Sequence, residues 1–187
     1  MTLGASTMET WGMTWPSVSV TAFDHWANDM LIVKRPPIRD VTGAITAARV
    51  HDWRSVVTAG DADTRVAEAL AELNLDCPPL AVDIAFIVRS FLAQFGTDEA
   101  SLRVEVVNKA SCPKFHCDNV RIRLVTTYHG PATEFVYTDG PEDIRRTPTG
   151  ALVFLKGHKH PNHADTIHHR SPAVPPGEKR LCVVLDI

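Results

Sequence analysis

Two hydrophobic periods divide the chain. Before residue 98 apolar positions recur at helical spacing. In residues 61–75 Val66, Ala69, Leu70 and Leu73 fall three and four apart, which predicts an α-helix with Asp61 or Asp63 as its N-cap. Cys77-Pro78-Pro79 breaks that helix. Residues 81–95 predict a second, more apolar one, closed by Gly96, with Ile84, Ile87, Val88, Phe91 and Phe95 on its buried face. Such stripes are read as helix pairing. Further upstream, residues 24–35 end in a short strand that Pro36-Pro37 stops, and residues 45–57 read as a helix or irregular chain. Residues 1–19 read as a loose arm that Trp11 and Trp15 pin to the body.

After Asp98 the period falls to two. Leu102, Val104 and Val106 alternate, and strands are predicted over residues 101–107, 120–128, 133–138, 151–156 and 180–187. Gly-Pro, Asp-Gly-Pro, Pro-Thr-Gly and Pro-Pro-Gly separate them. The pattern implies an α+β fold in one domain, residues 20–187. Residues 20–98 form a mainly helical buttress, and residues 99–187 form a sandwich, jelly roll or barrel.

Composition narrows the classes without naming one. An apolar share of 44% with 22% charged residues is that of an ordinary globular protein. The net charge of −3 argues against a general nucleic-acid binder. No apolar run approaches a membrane span, and the N-terminus lacks the charged and apolar regions of a secretory signal, so a cytoplasmic protein is expected. In a reducing compartment Cys77, Cys112, Cys117 and Cys182 are thiols or metal ligands rather than bridges. Five of the nine histidines fall between His158 and His169.

The densest candidate chemistry is Ser111-Cys112-Pro113-Lys114-Phe115-His116-Cys117-Asp118-Asn119-Val120-Arg121-Ile122-Arg123. On a strand, residues two apart share a face, so His116 and Asp118 would project together. They make two thirds of a 2-His-1-carboxylate site, the set that holds non-haem Fe(II) and leaves positions open. Candidates for the third ligand lie in Thr166-Ile167-His168-His169-Arg170-Ser171-Pro172, with Lys179 and Arg180 further on.

The order His-x-Asp, distant His, then a basic residue about ten positions on resembles the double-stranded β-helix 2-oxoglutarate/Fe(II) dioxygenases. The likeness is to the prolyl-hydroxylase branch, over roughly residues 101–187. It rests on Arg123, Thr127-Tyr128, Gly130-Pro131-Ala132-Thr133-Glu134-Phe135 and His169 through Val174 and Gly177 to Lys179. The whole pattern, with Phe-His-x-Asp-Asn-Val-Arg, Thr-Tyr-x-Gly-Pro and His-Arg-Ser-Pro, is also similar to an uncharacterised bacterial family over roughly residues 31–187. That family is a domain of unknown function whose members are often encoded beside zinc-homeostasis genes.

The dioxygenase resemblance implies a double-stranded β-helix with a jelly-roll or cupin-like barrel. It implies His116, Asp118 and His169 as iron ligands and Lys179 or Arg180 as the clamp for the distal carboxylate of 2-oxoglutarate. Tyr128 would hydrogen-bond the co-substrate, sharing the face of His116 and Asp118 if no bulge intervenes. Arg123 stands beside the site as a candidate catalytic group or an ion-pair residue. Strand alternation admits only one of His168 and His169. Val174, Gly177 and Lys179 keep register from His169, and Pro172 alone keeps it from His168. Arg180 suits a bidentate grip and shares a strand face with Cys182, Val184 and Asp186.

The function expected is thus an Fe(II)/2-oxoglutarate-dependent oxygenase acting on an unnamed small-molecule or protein substrate. A second reading is a non-enzymatic zinc-binding or zinc-homeostasis protein on the same barrel, using the His/Asp set with Cys112 and His158, His160 and His163. A third is a cupin-like metalloenzyme without 2-oxoglutarate. Specificity would lie in barrel-mouth loops such as residues 139–148 and in the N-terminal extension.

Overall fold

The computed structural model describes residues 14–187. The expected arm therefore lies largely outside the described residues, Trp11 included. Trp15 is anchored, meeting Phe154 edge-on at 5.6 Å and donating its indole N–H to Gln94 Oε1 at 3.0 Å. The elements in order are α1 (Ser17–Asp24), β1 (Met30–Val33), α2 (Val41–Ala47), β2 (His51–Thr58), α3 (Ala62–Glu72), α4 (Pro78–Phe95) and β3 (Glu99–Val107). There follow β4 (Ile122–His129), β5 (Glu134–Tyr137), β6 (Gly140–Arg146), β7 (Leu152–Lys156), β8 (Ile167–Arg170) and β9 (Arg180–Asp186).

The helices obey the 3.6-residue stripe. In α3 Val66, Ala69 and Leu70 are buried, and in α4 Leu80, Ile84, Ile87, Val88 and Phe91 are. Asp61 is the N-cap residue of α3, as expected, with its side chain accepting from Thr58 N–H at 2.7 Å instead of from the helix's own N–H groups. Gly96, at φ +59°, ends α4 in the left-handed conformation that glycine adopts without steric cost. By length and composition α4 could cross a membrane, which departs from the expectation of no such run. In this fold its apolar side lies on the core, and Arg89 pairs with Asp63 at 2.9 Å.

The strands form two antiparallel sheets. The larger has the order β1-β7-β4-β9-β3-β2 and the smaller β6-β5-β8. Neither closes on itself, so the barrel expected from the sequence is two open sheets. The larger sheet is covered on both faces. Leu102, Val104, Val106, Leu124, Phe154, Leu181, Val183 and Leu185 pack with the helices. On the other face Val125, Val153, Leu155, Cys182 and Val184 meet Phe135 and Ile167 of the smaller sheet.

Two stretches differ from their expected state. Residues 51–58 form β2, an edge strand pairing β3 from His51↔Val106 to Thr58↔Glu99, where a helix or irregular chain was expected. Six of the seven β6 residues are exposed, and the segment expected as a barrel-mouth loop is an edge strand beside β5.

Candidate metal centre

β4 and β9 place alternate side chains on opposite sides of the larger sheet. Arg123, Val125 and Thr127 of β4, with Arg180, Cys182 and Val184 of β9, face the smaller sheet. A small cavity of about 30 Å³ lies there, lined also by Arg103, Glu105, Cys112, Thr133 and Arg170. His116 and His169 form part of its wall.

Backbone pairing brings the two histidines together. His116 N–H donates to His169 O and His169 N–H to His116 O, both at 3.0 Å. Residues that exchange both bonds across an antiparallel pair project to the same face. Their rings lie 4.7 Å apart. In β8 Ile167 and His169 are buried, whereas His168 points outward to Asp165 Oδ1 at 3.0 Å. Alternation thus selects His169.

Asp118 arrives from the irregular segment 117–121, which is held by the loop after β7. His158 N–H donates to Asp118 O at 2.9 Å, Lys159 N–H to Val120 O at 3.1 Å, and Gly157 N–H to Arg121 O at 3.2 Å. A Cβ on Gly157 would stand 2.2 Å from Val120 O and 2.6 Å from Asp118 O, so only glycine permits this approach. Asp118 Oδ1 lies 3.4 Å from His116 Nε2, and Oδ2 lies 3.1 Å from His169 Nε2. The ligand atoms of His116, Asp118 and His169 are all within 4.8 Å of one another.

Three observations fit a cation at this point. Asp118 Oδ2 is buried without a hydrogen-bond partner, because His169 Nε2 is close but off the line that a hydrogen bond needs. His116 Nδ1 is 2.8 Å from Lys114 O; a carbonyl only accepts, so Nδ1 carries the proton and Nε2 is the atom left for a cation, which would displace the proton that the Asp118 carboxylate favours there. Burial alone would raise the Asp118 carboxyl, yet His116, His169 and Arg123 outweigh it and hold the group ionised, far below the usual range. Burial also lowers the proton affinity of His169, which favours the neutral, ligating imidazole.

The remaining candidates separate. Arg123 donates to Asp118 Oδ1 at 2.5 Å and grips Asp186 through Nε and Nη2, both at 2.7 Å. Its guanidinium orients the carboxylate and is not free for catalysis. Arg180 is fully buried in the cavity wall, ion-paired to Glu105 at 3.1 Å and bonded to Pro131 O at 2.9 Å and Thr127 Oγ1 at 3.2 Å. A Cβ at Gly130 would sit 2.7 Å from Lys179 O, so glycine lets the β4–β5 turn pass beneath this backbone.

Lys179 does not line the cavity. Its amine donates to the carbonyls of Ile45 (3.3 Å), Thr46 (2.9 Å) and Ala48 (2.7 Å), satisfying the C-terminus of α2. Tyr128 is not at the site either. It projects to the helix side, where its hydroxyl donates to Asp83 Oδ2 at 2.6 Å. The expectation failed because residues 117–121 are not strand: β4 starts at Ile122, and the turn resets the alternation counted from His116. Cys112 lines the cavity but contributes no atom to a metal-ligand cluster among the described residues.

The sequence reading missed Glu105, which faces Arg180 and also lies 3.8 Å from Arg103. The available signal was Arg103 and Glu105 on the polar face of a strand whose other face is Leu102, Val104 and Val106.

Comparison with known proteins gives distant likenesses in structure. IDO from Bacillus thuringiensis is 10% identical with a TM-score of 0.48, over 92% of this chain and 97% of that one. A Pseudomonas putida prolyl-4-hydroxylase is 14% identical with a TM-score of 0.45, over 91% and 96%. A C-terminally truncated Neurospora crassa T7H in apo form is 18% identical with a TM-score of 0.37, over 54% of this chain and 44% of that one, so the chain spans less than half of its length. At these levels they assign neither reaction nor ligand to this chain. No curated protein matches by sequence. The sequence does match one family model over residues 15–186, a span that takes in the helices, both sheets and every residue of the His116–Asp118–His169 cluster; the chain belongs to the family described as protein of unknown function, DUF1826.

Proposed function

We propose that the chain is an Fe(II)/2-oxoglutarate-dependent oxygenase whose facing sheets are a double-stranded β-helix scaffold. The observation that carries this is the convergence of His116, Asp118 and His169 on one point, with a buried carboxylate oxygen left unpartnered there. Two imidazoles and a carboxylate on one face are the donor set for non-haem Fe(II). Iron bound there, with positions open to a keto acid and to oxygen, would supply the redox chemistry that side chains lack.

The protein's own part is orientation and charge. The Lys114 carbonyl sets the His116 tautomer, and Arg123 turns the Asp118 carboxylate. Within the cavity wall Arg103 and Arg180 share the single carboxylate of Glu105, whereas Arg123 and Arg170 are held by Asp118, Asp186 and Glu134, so the first two are the cations an anionic ligand would meet. Arg180 takes the distal carboxylate when Glu105 yields it. A buried anion without such a partner would be strongly disfavoured.

The test is anaerobic addition of 2-oxoglutarate to the Fe(II)-loaded protein. A weak visible charge-transfer band is expected, together with a rise in Tm on keto-acid binding, since a ligand that binds only the native state stabilises by mass action. His116→Ala should abolish the band. Absence of both band and keto-acid turnover in iron-loaded protein overturns the reading.

A further inference from the structure

The segment that delivers Asp118 has a second side. Cys117 lies between His116 and Asp118 in sequence, and its sulfur points away from them towards the loop after β7. Cys117 Sγ is 3.9 Å from His163 Nε2. The rings of His158 and His163 stand 5.0 Å apart at 83°. The sulfur and one nitrogen of each histidine lie within 4.8 Å of one another.

A carboxylate backs this group. Asp29 is buried and accepts from Ala164 N–H at 3.0 Å and Thr166 N–H at 2.7 Å, anchoring the loop that carries His163. Asp29 Oδ2 faces His163 Nδ1 at 3.5 Å. His163 Nδ1 is, with Asp118 Oδ2, a buried side-chain atom left without a hydrogen-bond partner among the described residues. That orphan nitrogen is on the Asp29 side of the ring, while Nε2 of the same ring faces the Cys117 sulfur. His160, the remaining histidine of the loop tip, is engaged elsewhere, 2.9 Å from Asp24 Oδ1.

We propose that Cys117, His158 and His163 form a second metal site, specific for zinc, on the back of the loop that supplies His116 and Asp118. One thiolate and two imidazoles are the borderline-soft donors zinc selects, whereas the hard His/Asp/His set suits Fe(II). With Zn–S near 2.3 Å and Zn–N near 2.0 Å, a tetrahedral S···N edge is about 3.5 Å, and the distance found is 3.9 Å. Asp29 occupies the place of the carboxylate that orients a ligating imidazole. The thiol proton would leave to solvent as the metal–sulfur bond forms, His158 being exposed, and Asp165 Oδ1 lies 3.9 Å from His163 Nε2. Zinc here would tie residues 117–121 to the loop after β7 and so brace the first centre. The proposal does not depend on which reaction that centre performs.

Cobalt(II) titration of the full chain tests it, because a thiolate ligand gives a near-ultraviolet sulfur-to-cobalt charge-transfer band that a His/Asp/His site cannot give. The band is expected in the wild type, in Cys112→Ser and in His169→Ala, and should vanish in Cys117→Ser. His158 is exposed, so His158→Ala keeps the fold, and zinc affinity should fall roughly tenfold or more. Zinc content should drop by one equivalent in Cys117→Ser relative to wild type. A band that survives in Cys117→Ser, or unchanged zinc content and affinity in both variants, overturns the proposal. Either result leaves the iron and keto-acid measurement on the first centre to be read independently.

Discussion

Asp83, fully buried, and Asp118, mostly buried, are carboxylates beside an arginine on opposite faces of β4, and they differ in how completely they are satisfied. Asp83 receives Arg35 Nη1 on both oxygens, at 2.6 and 2.7 Å, and the Tyr128 hydroxyl at 2.6 Å. Arg35 also donates to Gly150 O at 2.7 Å, tying β1, the chain before β7 and α4 together. Both oxygens there have a donor. Asp118 is gripped by Arg123 on one oxygen and leaves the other unpartnered between two imidazoles. A saturated buried carboxylate holds elements together, and an unsaturated one is the kind that receives a cation.

The sharpest test sets the two against each other. Asp83→Ala takes the carboxylate from the Arg35 guanidinium, which keeps its bond to Gly150 O, and leaves the buried Tyr128 hydroxyl without its acceptor, and should lower the unfolding free energy by about 3–5 kcal/mol. Asp118→Ala leaves Arg123 on its two bonds to Asp186, so the cost should be only about 1–2 kcal/mol, with loss of Fe(II) binding. Urea denaturation and iron titration measure both. Equal stability losses, or iron binding retained without Asp118, would break the comparison.

A smaller effect probes another buried carboxylate, Glu105. Glu105 holds Arg180 at 3.1 Å and accepts from Ser111 Oγ at 3.3 Å. If Arg180 is the keto-acid clamp, Glu105 is its competitor. Glu105→Gln should tighten 2-oxoglutarate binding about tenfold, roughly 1.4 kcal/mol, while the ligand-free protein loses about 1–3 kcal/mol of stability. Weaker binding in calorimetry would show that the anion is held elsewhere in the cavity.

How much of this was legible follows from where the information resides. The strands of the larger sheet's centre were readable because each alternates against two packed faces, as Leu181, Val183 and Leu185 do opposite Cys182 and Val184. The edges were not. In β6 there is almost no buried side to impose a period, and in β2 Val56 is exposed while Trp53 and Val57 are buried four residues apart, a spacing that also suits a helix. At the site, ligand types and order marked His116, Asp118 and His169, but side-chain direction needed the turn at residues 117–121. That turn moved Tyr128 to the wrong side of the sheet. Lys179 and Arg180 were equivalent as charges, and only the path of β9 decides that one reaches the cavity and the other the end of α2.

The least costly change isolates the satisfied carboxylate from the iron site altogether. Burial, then the Asp83 charge, pushes the Tyr128 hydroxyl well above its ordinary pKa. A group whose folded value is raised contributes stability that is complete below the unfolded value, about 10, and is lost as pH rises through the folded one. Above pH 10 the unfolded chain releases this proton while the folded chain keeps it, so stability falls by up to about 1.4 kcal/mol per pH unit from this group. Tyr128→Phe should cost about 1 kcal/mol near neutrality, through one hydrogen bond, and should flatten that alkaline decline. Tyr137 is the other tyrosine of the chain and is present in both proteins, so the difference between their pH–stability curves reports Tyr128. Affinity for 2-oxoglutarate should be unchanged, because the ring lies on the helix side of the sheet. A loss of keto-acid affinity without a change in the alkaline slope would return Tyr128 to the cavity and remove the distinction between the two faces of β4.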